Sequence, residues 1–102
     1  MKTPLPAYKV IFSPESILDI KDAQRYYGDI RKSLGDRFTE ELDKVLISIK
    51  QNGQFAAVRY ADIRCARIRK FPYLVHYKIN DNNRVIILAV YPTYKKPLWE
   101  ED

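Results

Sequence analysis

A chain of 102 residues can bury one hydrophobic core and not two, so a single domain over 1–102 is expected. Apolar residues at 46% and charged residues at 30% exclude a disordered chain. The net charge of +5 comes with one Cys and one His, which excludes a disulfide framework and a zinc-type ligand set, so no metal or cofactor is expected.

Residues 8–12, Tyr-Lys-Val-Ile-Phe, form a short β-type run. Ser13-Pro14-Glu15 then reads as a helix start: an N-cap, a Pro at the first helical position and an acid in the first turn. Ile17, Ile20, Ala23, Tyr27 and Ile30 recur at helical spacing, which predicts an amphipathic helix from about 14 to about 32. Ser33 and Asp36 suggest a break and a second cap. The second helix places Phe38, Leu42, Val45, Leu46 and Ile49 on one stripe and ends at Asn52-Gly53, a left-handed C-cap signal. So short a break predicts an antiparallel helical hairpin whose stripes need a sheet to cover them.

Strands are expected at 56–60, 63–70, 73–79 and 85–91, separated by Ala61-Asp62, Phe71-Pro72 and Asn80-Asp81-Asn82-Asn83. Spacers this short imply an antiparallel meander. The fold class is therefore α+β, β-αα-ββββ, with a two-helix hairpin on one face of a mainly antiparallel sheet of four to five strands.

Strand parity sorts the side chains. Ala66, Ile68, Tyr73, Val75, Tyr77 and Ile79 form the apolar set, with Ile86, Leu88 and Val90 as core candidates on the last strand. The opposite face would then display Arg67, Arg69, His76, Lys78 and Tyr91. Charge follows the same division. Residues 59–99 hold nine basic and two acidic side chains, and five of the nine are Arg, suited to phosphate and carboxylate. Aromatic rings beside cations suit a polyanion or an acidic partner. His76 is the side chain most able to act as acid or base near neutrality, and Cys65 reads as a small strand residue. No apolar run approaches the ~18 residues of a membrane span, and Pro4 and Pro6 interrupt the place of a signal peptide's apolar stretch. A cytoplasmic protein without a membrane partner is expected.

Residues 62–77, with Arg64, Arg67, Arg69, the Phe71-Pro72-Tyr73 turn and a strand ending in Tyr77, resemble the RelE/ParE toxin superfamily. The following apolar strand and the tail Tyr91-Pro92-Thr93-Tyr94-Lys95-Lys96-Pro97-Leu98-Trp99 are similar to that family's closing strand and tail. With the helical hairpin, the resemblance covers nearly the whole chain. It implies the toxin of a type II toxin–antitoxin pair, neutralised by an antitoxin encoded beside it, and a target that is either DNA gyrase (ParE-like) or ribosome-bound mRNA (RelE-like). A RelE-like endonuclease would use His76, Arg67, Arg69 and a C-terminal Tyr, Tyr94 or Tyr91. Target or nucleic-acid contacts would fall on Arg64, Arg67, Arg69, Lys70, Lys78, Tyr91, Lys95 and Lys96. The sequence departs from the nuclease pattern at Leu74 and near Thr93, where cations are expected, and at Tyr91, which replaces a His. The implied reading is thus a ParE-like inhibitor that binds its target. A metal-independent mRNA endonuclease is the alternative, and a non-toxic basic RNA-binding module the third.

Overall fold

In the computed structural model residues 8–93 are described, Asn82 by its backbone alone. The order is β1 (Lys9–Phe12), α1 (Pro14–Ile30), α2 (Lys32–Gln51), β2 (Val58–Tyr60), β3 (Ile63–Ile68), β4 (Tyr73–Asn80) and β5 (Arg84–Pro92), with one 3₁₀ turn at Asp81–Asn83. The strands form one sheet in the order β1-β5-β4-β3-β2, in which β1 runs parallel to β5 and every other pair is antiparallel. The expected α+β class and chain order hold.

Ser13 starts α1 and also anchors it. Its Oγ accepts the Ser16 N–H at 3.1 Å and donates to the Leu88 carbonyl at 3.1 Å, while its own N–H reaches the Ile87 carbonyl at 2.9 Å. One turn on, the Asp19 carboxylate accepts the Val90 N–H at 3.0 Å. Helix α1 thus satisfies β5 where β1 has ended, and buried backbone groups need such partners.

The joint between the helices is tighter than Ser33 suggested. Arg31 alone is extended, and it closes α1 through its N–H to Tyr27 O and opens α2 by accepting from Leu34 and Gly35. Ser33 lies inside α2, and no side chain caps that helix. The close crossing decides this: a Cβ on Gly35 would stand 2.9 Å from Gly28 Cα and 3.1 Å from Gly28 N. Both obstacles are backbone and cannot rotate away. Gly35→Ala should therefore destabilise by about 1–3 kcal/mol despite Ala's better helix propensity, measured by urea unfolding. A gain in stability would contradict the crossing.

The expected left-handed cap at Asn52-Gly53 is absent, since Asn52 is extended and no described Gly has positive φ. Gly53 serves close approach instead, with the Tyr8 ring 3.0 Å from where a Cβ would be, and its carbonyl accepts the Tyr77 hydroxyl at 2.7 Å.

The core lies between the hairpin and the sheet. Phe38, Leu42 and Ile49 from α2 and Ala23 from α1 meet Ala66, Ile68, Tyr73, Val75, Tyr77, Val85, Ile87 and Val90. Ile17 and Ile30, expected in the α1 stripe, are exposed at the helix ends, Ile30 by 58%. On β5 the expected set Ile86, Leu88 and Val90 is corrected to Val85, Ile87 and Val90. His76 pairs with Ala89 but Tyr77 pairs with Ile87, so Leu88 is an extra residue and the alternation reverses there.

Candidate functional site

The sheet face turned from the helices is built in rows. Antiparallel partners point to the same side, so Arg67, Leu74 and Tyr91 form one row across β3, β4 and β5, and Cys65, His76 and Ala89 the next. Lys78 and Ile86 form a third. This places Arg67, His76, Lys78 and Tyr91 on the expected face. The centre of the first row is the apolar Leu74.

His76 is not a surface histidine. It is 4% exposed, its Nδ1 lies 2.8 Å from the Tyr60 hydroxyl and 3.3 Å from Cys65 Sγ, and its ring stands 5.9 Å from Tyr60 and 6.1 Å from Tyr91. Burial, with the Arg59 charge added, lowers its pKa to about 4. The imidazole is therefore neutral near pH 7. With Nδ1 as acceptor, both the Tyr60 O–H and the Cys65 S–H can donate to it, and the ring proton then sits on Nε2. A base so placed has its lone pair already engaged. Tyr91 is half-buried, and burial, then Asp19 and Glu15, raise its phenol pKa, so it stays protonated.

Among the described residues the expected cations do not gather at one point. Arg64 points to the helix-side parity, opposite Tyr77, and its guanidinium donates to the carbonyls of Ala56 at 2.6 Å and Gln54 at 3.3 Å. It ties down the loop before β2. Lys78 lies with Arg64, Asp62, Val58, Ile79 and Asn80 around one depression. Arg69 is exposed just beyond β3, and Lys70 occupies the following turn with φ 72°. Arg67 and Arg69 line a different groove, against Glu41, Lys44, Val45 and Ser48 of α2 and Phe55 of the loop. Tyr94, Lys95 and Lys96 lie outside the described residues.

Sequence reasoning missed Tyr60 as the partner of His76. Hairpin parity carried the signal, because Tyr60 faces Ile63 across the Ala61-Asp62 turn and so shares a side with Cys65.

The model of the ParE toxin of the type II toxin–antitoxin system parDE matches residues 10–96. The chain belongs to the ParE toxin family. It is the toxin component of such a system, and a cognate antitoxin is its partner. Among solved structures, one described as the chromosomal ParDE TA system from P. aeruginosa aligns with a TM-score of 0.72 at 9% identity, covering 83% of this chain and 95% of that one. At that identity the likeness speaks for the fold, and it agrees with the layer order above. No curated protein sequence matches this ParE-family chain. No helix among its described residues is long and apolar enough to cross a membrane.

Proposed function

We propose that this ParE-family toxin arrests growth by binding a large target such as DNA gyrase, and not by cutting RNA. The row Arg67–Leu74–Tyr91 carries the reading. Cleaving RNA requires a group to take the 2′-OH proton and cations grouped around the developing charge. Leu74 occupies the middle of the row where the resemblance to nucleases implies Arg, and the only histidine is buried, neutral and hydrogen-bonded through Nδ1. What the face offers instead is a broad surface of mixed apolar and cationic character, suited to docking on a macromolecule.

Induced expression of the chain alone should stop growth, and co-expression of the cognate antitoxin should restore it. Primer extension on abundant mRNAs after induction should show no new 5′ ends. Ribosome-dependent cuts appearing with the arrest would overturn the binding reading in favour of the endonuclease.

A further inference from the structure

Where β5 ends, the sheet and α1 leave a groove of about 300 Å³ between them. Asp19, Asp22 and Tyr26 of α1 form one wall, and Tyr73, Tyr91 and Pro92 the other. Spacings of three and four residues put Asp19, Asp22 and Tyr26 on one helical stripe, and Glu15 extends it one turn earlier. Asp19 and Glu15 stand close enough to Tyr91 to oppose its ionisation. Asp22 is exposed and forms no ion pair among the described residues. Tyr26 is 60% exposed, and Leu18, one turn before Asp22 on the groove's outer rim, is 61% exposed. The groove is thus acidic and aromatic, on a protein whose net charge is +5.

The chain itself arrives at this groove. Pro92 lines it, and the Thr93 N–H donates to the Pro72 carbonyl at 2.6 Å, which fixes the last described residue beside Tyr73. From that point the sequence continues as Tyr94-Lys95-Lys96-Pro97-Leu98-Trp99 and then three acids. At about 3.5 Å per extended residue, Lys95 and Lys96 reach about 7–10 Å from Thr93, and Trp99 about 20 Å. Along α1, Leu18 lies about 6 Å beyond Asp22. Both the carboxylates and the exposed leucine are within the tail's reach.

We propose that residues 94–99 of this chain occupy the groove, running back along α1. Lys95 and Lys96 meet Asp22 and Asp19, and Trp99 seats on Leu18 at the rim. Three features select this occupant. The negative charge of the groove repels a phosphate chain and an acidic peptide alike. Two lysines followed by Pro-Leu-Trp match, in the same order, two carboxylates followed by an exposed leucine. A tethered segment also acts at an effective concentration on the order of millimolar, which no free partner matches. The three acids follow Trp99 and come to Lys21, which is exposed three residues from Leu18 on the side away from Asp19. Lys95 and Lys96 are thereby spent on α1 and withdrawn from the outer sheet face. The target then meets Arg67, Leu74 and Tyr91 without them, whichever target the toxin binds.

Trp99 is the only Trp of the chain, so tryptophan emission reports on the tail alone. Its exposure is read with acrylamide, an uncharged quencher that added charges do not attract or repel. Quenching in the folded chain should be at least about threefold weaker than in the chain unfolded by urea. Asp22→Lys and Tyr26→Ala, both at exposed positions, should each raise it about twofold or more, as should high salt. Asp43→Lys, the same charge change at an exposed position of α2, should leave it unaltered. Lys96→Asp should also raise it, and combining that change with Asp22→Lys should recover about half of the protection or more. A folded-state Trp99 as open to acrylamide as in urea overturns the proposal. So does a protected Trp99 that is indifferent to both Asp22→Lys and Tyr26→Ala, since the tail then lies elsewhere. Protection that grows with toxin concentration would place the tail on a second copy, and that outcome overturns it too.

Discussion

Phe38→Ala should cost about 3–5 kcal/mol of folding free energy, the range for emptying a large aromatic from a packed core. Phe38 has no exposed surface and stands at the centre of an aromatic cluster that spans both layers. Its ring lies 5.5 Å from Tyr27, 5.2 Å from Phe71 and 5.3 Å from Tyr73, the first contact stacked and the others edge-on. Tyr27 also meets Phe71 at 4.8 Å, so the cluster joins α1, α2, the β3–β4 turn and β4. The close Gly28–Gly35 approach already holds the helices at contact distance, which limits collapse into the cavity. The melting temperature should fall by on the order of 12–25 °C for a domain of this size, whereas Phe38→Leu, which keeps most of the volume, should cost about half as much or less. A loss near zero for the Ala variant, measured by urea unfolding, would show that the hairpin is not held on the sheet by this cluster.

The second large effect is acid destabilisation through His76. Its folded pKa of about 4 lies below the ordinary 6.5 because burial and then Arg59 disfavour the imidazolium. Between these values the unfolded chain binds a proton that the folded chain refuses. Stability from this group is therefore complete above pH 6.5 and is lost as pH falls toward 4, by about 3 kcal/mol in all. Carboxylates also titrate toward the low end of this window, so the comparison that isolates His76 is between the native chain and His76→Gln. The native chain should lose about 2–3 kcal/mol more than the variant between pH 7 and pH 4.5. Parallel pH profiles would mean that His76 is solvated in the folded protein and free to act as an acid or base.

The α2 stripe and the β4 alternation were legible in the sequence because both obey a fixed period: Phe38, Leu42 and Ile49 at helical spacing, Tyr73, Val75 and Tyr77 at every second residue. Legibility failed where a single residue breaks the period or where contact depends on the third dimension. The extra residue Leu88 exchanged the faces of β5 before it, placing Val85 and Ile87 in the core and Ile86 outside, while Ala89, Val90 and Tyr91 keep the expected sides. Ser33 had the chemistry of a cap, but the Gly28–Gly35 approach fixed the joint at Arg31. Asp19 had the pattern of a solvated helix face, and its role on the Val90 N–H follows only from α1 lying along β5.

The candidate site shows the same division. Charge density and parity located the outer sheet face and placed Arg67, His76, Lys78 and Tyr91 on it. Neither could show that His76 is enclosed, because Tyr60 reaches it from two strands away. Nor could they separate Arg64, bound to loop carbonyls, from Arg67 and Arg69, which remain unpaired among the described residues. Local spacing reports which side a residue faces. Whether its charge is spent depends on neighbours distant in the chain.

Supercoiling of relaxed plasmid by purified DNA gyrase, titrated with purified toxin, reads target inhibition without the cell. Inhibition that rises with toxin, reaches completion without any loss of RNA integrity in parallel translation reactions, and is reversed by the cognate antitoxin is the expected result. Full supercoiling activity at large molar excess of a folded toxin that still arrests growth would contradict gyrase as the target.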